Sequence, residues 1–171
     1  MLESTREGGW DDPTEPIAAP LARYRQTVPA EWVDYNGHMS ESFYLWAMGE
    51  NSDSFFRYVG INEDYRAAGG SLYTVETHMR NLDEAGLGDQ LSATLQVLGN
   101  DTKRVHITHE LFRDDVLIAT GEQLLLHVDM KAGRAAAMPN ELLRRISAIT
   151  AAHAVLPTPE WVGRVIAIPQ R

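Results

Sequence analysis

The sequence predicts an α+β fold in which one long helix is followed by a run of consecutive strands. Three observations carry that reading. From Ser40 to about Val59 the apolar residues Tyr44, Ala47, Met48, Phe55 and Val59 recur at helical spacings and form one stripe. From residue 71 to residue 130 the pattern changes to four β-type runs, joined by connections too short to cross a sheet, so neighbours are mostly antiparallel. Residues 139 to about 153 then return to helical spacing.

Taken in order, "ARYRQTVPAEWVD" (22–34) contains β-favouring residues with a Pro29 suited to an edge or bulge, and is expected to form an imperfect first strand. The long helix follows, with Gly60 as its stop. The strands are expected over 71–82, 89–99, 103–113 and 116–130, making a five-stranded, mostly antiparallel sheet. Turns fall at Gly86-Leu87-Gly88, Gly99-Asn100-Asp101 and Asp114-Asp115. The final helix has Pro139 near its start and Leu142, Leu143, Ile146 and Ile149 along one side.

A chain of 171 residues, 44% hydrophobic and 23% charged, has the balance of one globular domain with a single core. Residues 1–20 are acidic and carry Pro13, Pro16 and Pro20, and are expected to be a flexible arm; residues 21–171 form the domain, with its C-terminal helix and tail. The arm lacks the apolar core of a signal peptide, and no apolar run reaches membrane-spanning length, so a cytoplasmic location is expected. The absence of cysteine excludes disulfides and thiolate chemistry. A formal charge of -9 argues against a general nucleic-acid binder, which needs a basic surface to displace phosphate counterions.

The bend Asp34-Tyr35-Asn36-Gly37-His38 joins the first strand to the long helix. Read alone, it is either an ordinary turn built from turn-forming residues or a catalytic turn. The stretch "WVDYNGHMSESFYL" resembles the strand end, Asp, Gly-His and helix start of the hotdog-fold acyl-CoA thioesterases, the 4-hydroxybenzoyl-CoA thioesterase-like group. The resemblance covers roughly residues 22–138. With "VETHMRNL", "TKRVHITHELF" and "GEQLLLHVD" it is similar to the betainyl-CoA thioesterases that accompany bacterial carnitine breakdown. It departs from the family at Ser40, where Asn is usual, although Ser can also cap a helix.

The resemblance implies a long central helix wrapped by the sheet, a thioester hydrolase, and an active site at the bend. Hydrolysing a thioester needs an oxygen nucleophile and donors facing the oxygen that becomes negative, while thiolate leaves readily. Asp34 supplies the first, either by direct attack or as base toward water. The unpaired N–H groups of a helix starting near Ser40 supply the second. Gly37 lets the backbone approach the substrate closely, and Asn36 and His38 are orienting groups, with His38 holding Asp34 or a water.

On the next strand, strict alternation puts Thr74, Glu76, His78 and Arg80 on one face and Val75, Thr77 and Met79 on the other. The resemblance places this strand beside the catalytic turn, so Glu76 is expected as an auxiliary base or as the partner of a cationic acyl group. Tyr35, Tyr44, Tyr73 and Thr77, with Trp46 nearby, are expected to contact the acyl group, although such aromatics are more often core. Lys103 and Arg104, and more weakly Lys131 and Arg134, are expected to meet the phosphates of coenzyme A. His106 and His109 fall on opposite faces of a strand, which disfavours a shared metal. No metal or cofactor is expected, coenzyme A being part of the substrate. The expected partners are the acyl-CoA and a second copy of the chain, as a homodimer or dimer of dimers. A non-catalytic hotdog module that binds acyl-CoA or a small ligand is the alternative, and a hotdog hydratase a third reading.

Overall fold

The computed structural model describes residues 16–168; residues 1–15 of the expected arm lie outside them. The elements are β1 (Leu21–Thr27), a 3-10 turn (Ala30–Trp32), α1 (Glu41–Val59), α2 (Glu63–Ala68), β2 (Gly70–Asn81), β3 (Gln90–Asn100), β4 (Arg104–Arg113), β5 (Val116–Asp129), β6 (Arg134–Ala135) and α3 (Asn140–His153). The sheet runs β1-β3-β4-β5-β2, with the two-residue β6 added on β5 as a sixth strand. Every pairing is antiparallel.

The inner face of the sheet packs on α1 through the stripe that the sequence marks: Tyr44, Ala47, Met48, Phe55 and Val59 are all buried. Gly60 ends the helix at φ 99°, donating its N–H to the carbonyls of Phe56 and Arg57. Helix and sheet meet tightly at Gly121 of β5, where a Cβ would stand 2.5 Å from Met48 Sδ. Beside this contact the interface is polar. His109 is fully buried, receives a hydrogen bond from Asn51 Nδ2 on Nδ1 (3.0 Å), and meets Gln123 Oε1 at 3.1 Å and Ser52 Oγ at 3.3 Å through Nε2. Burial pushes the His109 imidazole down to about 4, against a smaller opposing effect of the Gln123 hydrogen bond, so the ring is neutral and carries its proton on Nε2. α3 closes one end of the core with Leu142, Ile146 and Ile149. A second cluster, including Trp32, Met39, Tyr44, Met48, Leu91 and Leu111, lies beneath the Asp34 bend.

The structure departs from the sequence expectation in three places. The first strand ends at Thr27; Pro29 starts a 3-10 turn whose bonds run from Trp32 N to Pro29 O and from Val33 N to Ala30 O. Residues 16–20 of the expected arm are tied down, since Ile17 packs on the core and the Ala18 carbonyl accepts from His153 Nε2 at 2.9 Å. Alternation along β2 breaks between Thr74 and Glu76, which pair with Leu125 and Leu124 of β5. The bulge leaves Val75 unpaired and reverses the faces. Thr74 and Thr77 therefore lie on the helix side, opposite buried Leu125 and Gln123, whereas Glu76 and His78 lie on the outer side.

Candidate active site

The bend is a closed loop of backbone bonds. Val33 and Met39 form an isolated bridge, Asp34 N–H donates to the His38 carbonyl (3.0 Å), and Gly37 N–H donates back to the Asp34 carbonyl (3.0 Å). Such a narrow turn needs a left-handed residue, and Gly37 supplies it at φ 83°. No atom lies within 4 Å of where its Cβ would be, so conformation and not crowding requires glycine within this chain. The Asp34 carboxylate accepts the Asn36 N–H on Oδ1 at 2.8 Å. Asn36 thus supports Asp34 through its backbone and not its side chain. Among the described residues Asp34 Oδ2 has no hydrogen-bond partner, which leaves it available to a substrate.

Directly after the bend, Met39 is pinned by donating its N–H to Ala85 O (2.7 Å), and Ser40 by donating to Trp32 O (2.8 Å). Trp32 is itself stacked on Phe43 with 5.1 Å between ring centroids. Helix α1 begins at Glu41 with Ser40 in the N-cap position, but the Ser40 side chain makes no capping bond, contrary to expectation. The N–H groups of Glu41 and Ser42 consequently lack backbone acceptors among the described residues and carry the positive end of the helix dipole. Bend and helix start together provide a carboxylate oxygen and free amide donors a few residues apart.

His38 does not hold Asp34. Its Nε2 lies 3.2 Å from Glu84 Oε2. Glu84 belongs to the segment after β2, which runs alongside the bend: Tyr44 O–H donates to Asp83 O (3.2 Å), and Arg113 reaches Asp83 Oδ2 at 3.2 Å and the Glu84 carbonyl. A cavity of about 310 Å³ opens here, lined by Met39, Glu41, Tyr44, Asn81, Leu82, Asp83 and Glu84. Asp83, Glu84 and Arg113 were not singled out by sequence, because only the fold brings the β2–β3 connection and the end of β4 to the bend.

The remaining expected residues are spread more widely. Tyr44 is a buried helix residue that also touches this cavity, while Tyr35 is 97% exposed and is not in its lining. Tyr73 lies on the free edge of β2 and is 50% exposed. Glu76 is not beside the bend: it lies on the outer face in a separate cavity of about 460 Å³ with His78, His106, Glu122, Leu124 and residues 163–165. Arg104 is already engaged by Asp101, which accepts from its Nε at 2.8 Å and Nη2 at 2.5 Å. Those bonds, helped by the Lys103 and Arg104 backbone N–H groups, hold Asp101 down to about 2. Lys103 and Lys131 sit at one end of the sheet, where the Lys103 carbonyl accepts His127 N–H (2.7 Å) and a cavity of about 320 Å³ is lined by Tyr65, His127, Asp129 and Lys131. Lys131 crosses Gly69 there, with three carbons 3.1 Å from where a Cβ would be.

A curled antiparallel sheet around one long helix, with an Asp-Gly-His bend at the helix start, defines a hotdog protein, and comparison agrees. Residues 28–146 match the thioesterase-like superfamily, and the chain belongs to it. Among curated proteins it is 41% identical to the betainyl-CoA thioesterase of Pseudomonas aeruginosa, over 87% of this chain and 96% of that one. It is also 46% identical to the L-carnitine dehydrogenase/betainyl-CoA thioesterase of a Rhizobium species, over 86% of this chain but only 30% of that longer protein. A Staphylococcus aureus protein solved in complex with CoA superposes with a TM-score of 0.81 at 26% identity, over 91% of this chain and all of the other.

Proposed function

We propose that the chain hydrolyses a short-chain acyl-CoA to free acid and coenzyme A, with the betainyl thioester as its preferred substrate. The observation that carries this is Asp34, fixed in a left-handed bend with Oδ2 free, immediately before the unpaired N–H groups of α1. In this reading the thioester carbonyl oxygen faces the N–H groups of Glu41 and Ser42, which stabilise the developing negative charge. Asp34 acts at the carbonyl carbon, directly or through water, and the thiolate departs without needing an acid. Gly37 and the Asn36 backbone keep the carboxylate in place. Lys103 and Lys131 are the cations for the coenzyme A phosphates, with Arg104 and Arg134 contributing less.

The sheet ends in a long free edge: β2 has twelve residues and exposes Tyr73 and Val75 at about half their surface. Such an edge invites pairing. Two copies related by a two-fold axis would pair antiparallel along β2, bringing the start of one β2 to the end of the other. Tyr73 and Thr77 of one copy would then face the region of the partner's bend.

Betainyl-CoA carries a trimethylammonium next to the thioester carbonyl. The cavity at the bend suits such a group, with Tyr44 and the carboxylates of Glu41, Asp83 and Glu84 in its lining. Release of thiol from a panel of acyl-CoAs tests the reading. After division by uncatalysed rates, betainyl-CoA should exceed its neutral isostere 3,3-dimethylbutyryl-CoA roughly 5- to 30-fold in kcat/KM, the return on ~1–2 kcal/mol of cation–π and carboxylate contacts. Equal corrected rates would end the betaine assignment and leave hydrolysis standing; no thiol release from any acyl-CoA would end both.

A further inference from the structure

We propose that Glu84 and Arg113 are positioning residues for Asp34, acting through His38; this rests on the reading of Asp34 as the reacting carboxylate. Among the described residues no side chain from outside the bend makes a hydrogen bond or ion pair with Asp34. Its N–H is held by the His38 carbonyl and its Oδ1 by the Asn36 N–H. The location of the carboxylate therefore depends on where His38 is held.

His38 is held from one side by Glu84, the middle one of three successive residues after β2 that are each tied to their surroundings. Asp83 offers its carbonyl to Tyr44 and its carboxylate to Arg113. Glu84 offers its carbonyl to Arg113 and its carboxylate to His38 Nε2 at 3.2 Å. Ala85 is buried and its carbonyl takes the N–H of Met39, next to His38. This segment is short and makes no strand pairing of its own, although Leu82 and Asp83 donate to Ile118 O. Arg113, three-quarters buried at the end of β4, ties it to a rigid strand by two donors of one planar guanidinium. The path from sheet to bend thus runs from Arg113 to the Glu84 carbonyl, from the Glu84 carboxylate to His38 Nε2, and from the His38 carbonyl to the Asp34 N–H. His38 and Glu84 are about half and two-thirds exposed, too open for their ion pair to matter greatly to stability. Its consequence is placement, to which reaction rate is far more sensitive than folding is.

The test uses Arg113→Ala, Glu84→Ala and Glu84→Gln in the full chain, with Asp34→Asn as reference. Measured on the neutral 3,3-dimethylbutyryl-CoA, so that loss of the Glu84 carboxylate from the cation cavity does not enter, Arg113→Ala and Glu84→Ala should each lower kcat about 10- to 100-fold, the loss expected of a displaced reacting group, with little change in KM. Glu84→Gln keeps an acceptor for His38 Nε2–H and should recover most of what Glu84→Ala loses. Guanidinium ion at sub-denaturing concentration should partly restore Arg113→Ala. Independently of any substrate, the Asp34 amide should exchange its hydrogen about tenfold faster in both alanine variants, because its bond to His38 O opens more often. Wild-type kcat in both alanine variants beside an inactive Asp34→Asn overturns the inference alone, as does unchanged Asp34 exchange. An active Asp34→Asn overturns the catalytic reading on which it stands.

Discussion

Asp34 and Gly37 could be picked out from their neighbours because the turn that needs them is local: an acid, a left-handed glycine and a helix start lie within seven consecutive positions, 34–40. What each side chain touches was not legible in the same way. His38 meets Glu84, and Ser40 occupies the cap position without using its hydroxyl. Ser40→Ala should therefore shift stability by less than about 0.5 kcal/mol, a surface-type effect and not the loss of a cap. A drop of 1 kcal/mol or more in urea unfolding, on the order of a lost cap, would mean that the hydroxyl does cap the helix. His109 gives a clearer signal. Unfolded, it protonates near 6.5; folded, near 4, so between these values the unfolded state holds the extra proton. Its stabilising contribution is complete above 6.5 and is lost as pH falls toward 4, on the order of 3 kcal/mol in all. His153, also lowered by burial, adds in the same direction. Unfolding free energy should fall between pH 7 and pH 4.5, and His109→Gln should flatten much of that slope; equal wild-type stability at both values would contradict the burial of a neutral ring.

Elements with strong periodicity were readable, and those that break a period were not. Helix α1, the strands β2 to β5 and helix α3 lie within a residue or so of their expected bounds. Each buries a stripe, or an alternate set of side chains, large enough to dictate its own phase. The first strand was overextended because "VPAEWVD" has the composition of a strand, but the 3-10 bonds after Pro29 capture it. α2 and β6 are too short to establish a period. Along β2 the expected alternation holds from Glu76 onward, with Glu76 and His78 on one face and Thr77 and Met79 on the other, but the bulge residue Val75 puts Thr74 on the helix side, away from Glu76. Where helix meets sheet, Gly121 carries a prediction. Gly121→Ala puts a methyl group 2.5 Å from Met48 Sδ, on a side chain that is itself fully buried and has little room to move. The variant should lose about 1–3 kcal/mol of stability, and unchanged stability would mean that Met48 can repack.

At the scale of the whole molecule, the arrangement of sheet, helix and bend follows from the order of elements, but the assembly and the chemistry belong to more than one contact. If two copies join along β2, replacing Tyr73 and Val75 together by lysine should place like charges along the shared edge and yield monomers in sedimentation, with loss of activity. A doubly substituted protein that remains a dimer would place the interface elsewhere. The proposed chemistry rests on one carboxylate, and one comparison tests it: thiol release from betainyl-CoA by the wild-type chain and by Asp34→Asn, with coenzyme A binding measured on both. The expected result is a kcat at least ~100-fold lower in the variant, the lower end for removing a positioned proton-transfer or nucleophilic group, with binding retained. Near wild-type turnover by Asp34→Asn would contradict it.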